Sequence, residues 1–265
     1  MAGKVITITS GKGGVGKTTA TANLGISLAS LGKKVIVIDA DIGLRNLDVI
    51  MGLENRIVYD LVDVVEGRSK LRQAMIKHKK FTDLHLIPAA QTRDKMAVSP
   101  NDMIELADKL REDFHYILID SPAGIERGFR NALAPANEVL IVTNPEISAV
   151  RDADRIIGLI EAANKGPGKL IINRLKTDMV KKGEMLSADD IIDILGLSVI
   201  GIIPEDRYVL SASNSGIPVT LNSNSQAGVA FTNIARRITG EDVPLMNLEE
   251  NRGFFWRIAR FFDGR

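Results

Sequence analysis

The chain is 265 residues long, 45% hydrophobic and 25% charged, with a formal net charge of +1 at pH 7. That length carries one large α/β domain or two smaller ones, and the near-neutral balance gives no general attraction to nucleic acid or acidic partners. The absence of cysteine excludes disulfides, thiolate catalysis and cysteine-held iron–sulfur clusters, and the His residues at 78, 85 and 115 lack metal-ligand spacing.

In chain order, residues 4–9 are rich in β-branched side chains and predict a strand. They run straight into S-G-K-G-G-V-G-K-T-T, residues 10–19. This stretch holds the phosphate-loop pattern G-x-x-x-x-G-K-[ST] as Gly11, Gly16, Lys17 and Thr18. Gly11, Gly13, Gly14 and Gly16 let backbone N–H groups, Val15 included, converge on phosphate oxygens without Cβ clashes. Leu24, Leu28 and Leu31 give the following segment helical spacing. Its N-terminus, at Thr18 and Thr19, adds partial positive charge at the phosphates. Lys17 is expected to reach the β- and γ-phosphates of a nucleotide, and the Thr18 hydroxyl to ligate Mg²⁺.

Residues 34–38 form the next apolar strand and deliver Asp39 and Asp41 to its C-terminal end, the ligand edge of an open α/β sheet. Helix capping is the alternative use of these two carboxylates. Residues 42–48 lack periodicity and are expected to loop over the site. Helical spacing over 57–76, broken near Gly67, is followed by a strand at 84–88 and a helix at 101–112 capped by Ser99 or Asn101. Residues 116–120, Y-I-L-I-D, predict a buried strand ending in Asp120, placed to hold Mg²⁺ through water. Further strands are expected at 138–143, 169–174 and 199–203, and helices at 148–163, 185–195 and 226–238. The strand at 169–174 ends in Asn173 and Arg174. An Asn offers a donor and an acceptor to match an adenine edge, or forms a turn. The alternation predicts a doubly wound, mostly parallel sheet.

The tail, residues 249–265, holds four of the eight Phe and the single Trp. On a helical wheel Phe254, Phe255, Ile258, Phe261 and Phe262 share an arc of about 120°, with Arg257 and Arg260 beside it and Trp256 on the polar side. An aromatic face flanked by arginines fits an interfacial membrane helix on an anionic surface, and roughly 13 residues are too few to cross a bilayer. Docking on the protein's own core is the commoner fate of such a helix. With no signal peptide or membrane-crossing run expected, the chain reads as cytoplasmic and peripherally membrane-bound.

The second lysine of the loop, Lys12, goes beyond the general motif. With K-G-G-V-G-K-T, D-A-D-I-G-L-R-N-L-D (39–48), D-S-P-A-G-I-E (120–126), T-N-P-E (143–146), V-R-D-A-D-R (150–155) and I-P-E-D (203–206), nearly the whole chain resembles the deviant Walker A ATPases, the MinD/ParA family, and within it the septum-positioning branch. The resemblance implies a P-loop ATPase domain (1–239), a linker (240–248) and a membrane-targeting tail (249–265). It implies that Lys12 reaches across an ATP-dependent homodimer, that Asp41 positions the attacking water and that Asp39 lies near the Mg²⁺ shell. It further implies that Asn173, Arg174 and Pro204 surround the base. The helix at 148–163 would lie near the dimer edge. Hydrolysis would be slow and stimulated by partners: a MinC-like division inhibitor and a MinE-like or other topological regulator. A DNA-partitioning ATPase is the runner-up, although the +1 charge lies entirely in the tail, leaving residues 1–248 neutral. A metabolic ATP-dependent ligase and a non-catalytic ATP-gated scaffold are further alternatives.

Overall fold

The computed structural model describes residues 2–246 and residue 248. Its elements, in order, are β1 (Lys4–Thr9), α1 (Lys17–Ser30), β2 (Val35–Asp39), α2 (Leu47–Ile50), α3 (Leu61–Val65), α4 (Leu71–Ala74), β3 (Ile76–Lys77), β4 (Leu84–Ile87), α5 (Pro100–Leu110) and β5 (Tyr116–Asp120). They continue with α6 (Arg127–Leu133), β6 (Glu138–Thr143), α7 (Ile147–Ala162), β7 (Lys169–Leu175), α8 (Thr177–Lys181), α9 (Ala188–Leu195), β8 (Val199–Pro204), α10 (Arg207–Asn214) and α11 (Gln226–Ile238).

The strands form one eight-stranded sheet in the order β3-β4-β2-β5-β1-β6-β7-β8. All pairs are parallel except β3 with β4. Near-continuous apolar strands are what a sheet covered on both faces requires. The period of two then sorts their side chains: Leu118 of β5 joins the layer under α1 and α11, and Ile117 and Ile119 join the opposite layer with Met103 and Leu106 of α5. Under α7 and α9 a third cluster gathers Val139, Ile141, Ile156, Leu170 and Ile172. From β1 the chain passes to β2 on one side; after β5 it crosses β1 to reach β6 on the other. Ligands of open α/β sheets bind at such reversals, outside the strands' C-terminal ends.

The helical spacing over 57–76, broken near Gly67, is realised as two short helices, α3 and α4, on either side of Gly67, but its last residue, Ile76, belongs to the antiparallel strand β3. Asp60 and Asp63 cap α3 reciprocally, and left-handed Gly67 follows its end. Four further helices, α2, α6, α8 and α10, were not anticipated; none exceeds eight residues, so that any repeating apolar face is brief. At α5 the Ser99 hydroxyl and the Asp102 carboxylate form a capping box, which fixes its start. The tail positions Phe254, Phe255, Ile258, Phe261 and Phe262 lie outside the described residues. Among the described residues no helix is long and apolar enough to cross a membrane.

Candidate nucleotide site

Five strands end at one edge and bring the expected residues together: β1 feeds the glycine loop, β2 ends in Asp39, β5 in Asp120, β7 carries Asn173 and Arg174, and β8 ends in Pro204. A hollow of about 460 Å³ lies over the loop, lined by Lys12, Lys17, Thr18 and Thr19 on one side and by Asp41, Asn46 and Val49 on the other. A second hollow of about 300 Å³ adjoins it, sharing Gly16, Thr19, Arg174 and Ser213, and bounded further by Asn173, Pro204 and Leu210. The lysines and helix start of the first suit phosphates; the second is the space beside Asn173, Arg174 and Pro204 where the base is expected.

Packing against neighbouring strands and helices holds the loop in shape. Gly16 sits at the N-cap of α1 with φ 96°. A Cβ there would lie 2.3 Å from Asn173 Nδ2, so only glycine admits both the backbone and the neighbour. Asn173 Nδ2 donates to the Val15 carbonyl at 2.7 Å. Asn173 thus braces the phosphate loop as well as lining the second hollow. At the other end a Cβ on Gly11 would lie 2.1 Å from the Asp152 carbonyl oxygen of α7, so the loop's entry also packs on backbone.

Beneath the loop lies a buried charge cluster. Lys17 Nζ is 3.4 Å from Asp120 Oδ1, and the two residues are only 7% and 1% exposed. The Thr21 hydroxyl, fully buried on the next turn of α1, lies 3.0 Å from the same oxygen and 3.0 Å from the Lys17 carbonyl, with one proton that the charged carboxylate attracts more strongly. Asp120 Oδ2 is buried without a hydrogen-bond partner. Asp39 pairs in register with Asp120 across β2 and β5. Burial, then the Asp120 charge, pushes the Asp39 carboxyl up to about 7, against the opposing backbone N–H bonds. Two adjacent buried carboxylates with an unclaimed oxygen call for a cation beyond Lys17. Among the described residues no cluster of three His, Cys, Asp or Glu could hold a metal unaided. A hydrated Mg²⁺ that takes most ligands from phosphate and water fits this donor set.

Asp39 also shapes the loop above it: Oδ1 accepts from Asp41 N at 3.0 Å and Oδ2 from Leu47 N at 3.3 Å. Further along, Arg45 adopts φ 42° with its Nε 3.1 Å from the buried Asp48 carboxylate. Left-handed backbone at a non-glycine residue stores strain and clusters at functional sites. Arg174, at φ 60° beside the base hollow, is a second instance. Behind the site, Ser121 donates to Thr9 Oγ1 at 2.9 Å and Gly124 N to the Ser10 carbonyl at 3.2 Å, tying residues 121–124 to the loop. Lys12 lies at the rim, where its Nζ is 3.2 Å from Ser148 Oγ and 3.6 Å from Glu146 Oε2 at the start of α7. Asp206 caps α10 through Tyr208 N and accepts from Ser225 Oγ at 2.6 Å and Ala227 N at 3.1 Å.

Thr21, Arg45 and Asp48 were not among the expected site residues. Thr21 was legible in principle, lying four residues after Lys17 and so on the same helix face. The Arg45–Asp48 pair carries no local signal, because its meaning lies in burial.

The AAA domain family matches residues 3–172. The septum site-determining protein MinD of Bacillus subtilis is 54% identical over 266 residues, covering 99% of both chains. Among solved structures, the MinC:MinD cell division protein complex of Aquifex aeolicus is 51% identical with TM-score 0.86, covering 92% of this chain and 99% of that one. The Pyrococcus horikoshii septum site-determining protein MinD, solved with Mg-ADP, is 30% identical with TM-score 0.80, covering 89% and 95%. The chain belongs to the MinD family of septum site-determining proteins, P-loop ATPases of the AAA domain class.

Proposed function

We propose that this chain binds and hydrolyses ATP with Mg²⁺, and that the nucleotide controls a dimer, a membrane tail and the recruitment of a MinC-like division inhibitor. The observation that carries this reading is the buried Lys17–Asp120 pair beneath the glycine loop, with Asp39 alongside and one Asp120 oxygen unclaimed. ATP enters with its phosphates in the larger hollow and its base in the smaller, beside Arg174 and Pro204. Loop N–H groups from Gly11 to Thr19 and the Lys17 ammonium take up charge on the phosphate oxygens. Thr18 directly, and Asp39 and Asp120 through water, would hold Mg²⁺, which when bound neutralises charge on the β- and γ-phosphates. Asp41 orients the attacking water toward the γ-phosphorus, and the bond to the β-phosphate oxygen breaks to leave ADP and phosphate. The Mg-ADP held by the Pyrococcus relative supports this ligand set.

Lys12 supports the dimer reading. Its ammonium lies at the rim of the phosphate hollow, held by Ser148 and Glu146 at the α7 start and half exposed, where a facing subunit's phosphates could reach it. Two tails (249–265) in one dimer, each joined by a linker (240–248) to an ATPase domain (1–239), bind an anionic surface far better than one. Hydrolysis separates the subunits and releases each weakly bound tail. Membrane residence then follows the nucleotide, in a cytoplasmic protein peripheral to the inner face of the membrane. The MinC:MinD complex of the Aquifex relative supports a division inhibitor as partner; a MinE-like or other topological regulator would stimulate hydrolysis.

Co-sedimentation with anionic vesicles, in ATP and in ADP, tests this for the full chain, a chain ending at Asn247 and Phe255→Glu. The expected result is ATP-dependent binding of the full chain alone, with both variants still binding nucleotide. Equal binding in the two nucleotides, or ATP-dependent binding to DNA instead, would refute it.

A further inference from the structure

Two helices from distant parts of the chain meet end to end beside the nucleotide hollow. Residues Gly52 and Gly216 follow the C-terminal ends of α2 and α10, with φ 65° and 61°. A left-handed glycine after a helix is ordinary and accounts for both angles. It does not account for the lack of room. A Cβ on Gly52 would lie 2.6 Å from the Gly216 carbonyl oxygen, and one on Gly216 would lie 2.9 Å from Gly52 Cα and 3.2 Å from the Val49 carbonyl oxygen. Gly67 and Gly196 follow the ends of α3 and α9 with the same handedness, and a Cβ on either meets nothing within 4 Å. The requirement at 52 and 216 is therefore the contact and not only the turn.

What the contact joins gives it meaning. Helix α10 walls the base hollow with Arg207, Val209 and Leu210, and its last turn reaches the phosphate hollow through Ser213 and Asn214. Helix α2 ends the loop that carries Asp41 and is anchored by the buried side chains of Leu47, Met51 and Leu53. The backbone of Leu47 is held in turn by Asp39, which also holds Asp41 N. A path of contacts thus runs from the base wall through the backbones of Gly216 and Gly52 to Leu47, and through the Asp39 carboxylate to Asp41.

We infer that Gly52 and Gly216 are positioning residues: their contact lets an occupied base hollow set the Asp41 loop, so that the adenine contributes to hydrolysis and not only to affinity. The inference rests on the reading of these hollows as an adenine-nucleotide site. It predicts that the base, through α10, orders a segment that the hollows' arrangement leaves nearest the phosphates.

Hydrogen exchange on the unmodified full chain tests this directly. Mg²⁺-ADP and Mg²⁺-pyrophosphate are compared at concentrations that protect residues 11–19 equally. The expected result is about tenfold greater protection of 42–53 by ADP than by pyrophosphate. Equal protection of 42–53 overturns the inference, whereas absence of any protection at 11–19 overturns the nucleotide-site reading beneath it. Single-turnover hydrolysis supplies the second test. Gly216→Ala and Gly52→Ala should lower the saturating rate about tenfold while ATP affinity changes by less than about twofold. Gly67→Ala and Gly196→Ala share the turn penalty and should leave the rate unchanged. Rates in all four variants that track thermal stability alone would overturn the inference.

Discussion

Replacing Thr21 by Val isolates one strut of the charge cluster. The two side chains have nearly the same shape, but Val cannot donate to Asp120 Oδ1, a bond of 3.0 Å at a fully buried position. Asp120 Oδ2 has no hydrogen-bond partner, so the buried carboxylate would be left with Lys17 Nζ at 3.4 Å. A hydrogen bond to a charged group contributes about 1.5–3 kcal/mol, and the exchange leaves an acceptor without compensation. For a domain of this size each kcal/mol moves the midpoint by roughly 2–4 °C, so the nucleotide-free variant should melt about 3–12 °C below wild type. Urea unfolding gives the free energy and calorimetry the midpoint, and Thr21→Ser should recover most of the loss. A Thr21→Val protein within about 0.5 kcal/mol of wild type would mean that Asp120 finds other partners, and the account of the cluster would fail.

The other consequences fall on separate parts of the site. Lys12→Ala should bind ATP normally, because this side chain rests on α7, but should lose the ATP-dependent dimer in light scattering and slow hydrolysis at least about a hundredfold. Asp41→Ala should dimerise with ATP yet turn over about 10²- to 10³-fold more slowly in phosphate release. Asp206→Asn addresses pH. Burial raises the Asp206 carboxyl, but the Ser225 hydroxyl and backbone N–H groups outweigh it and hold it below the usual range. A carboxylate lowered in the folded state stabilises above its unfolded pKa, and the contribution disappears as pH falls through the folded value. After solvent screening the variant should therefore lose no more than about 1 kcal/mol at pH 7 in urea unfolding, and converge on wild type in acid.

Much of this arrangement is legible in sequence because strand and site are written together. The runs ending in Asp39 and Asp120 are both apolar strand and edge chemistry, and the glycine loop names its own use. Burial of both faces makes such strands continuous in hydropathy, so their positions follow closely. What sequence conceals depends on approach between distant segments. Asn173 stands at the right strand end, but only the fold shows its amide donor directed at Val15, 158 positions away. Local patterning over 57–76 shows the helical segments and their break near Gly67, but not that Ile76 pairs with Leu86 as a strand. Helix α10 turns Tyr208, Val209 and Ala212 to the core at helical spacing, a pattern too brief to stand out in a segment of only eight residues, although it walls the base hollow.

Strand β3 has a consequence for the behaviour of many copies together. The sheet stops on that side at a strand of only two residues, paired antiparallel to β4 and bearing the exposed Lys77. An open strand edge is a template on which a neighbouring chain can add, and brevity and charge are the usual defences. Here an incoming strand would find scarcely one repeat of backbone partners, and would meet Lys77, Lys79 and Lys80 within a few residues. At this edge, therefore, close approach of two copies offers little on which sheet-to-sheet pairing could build.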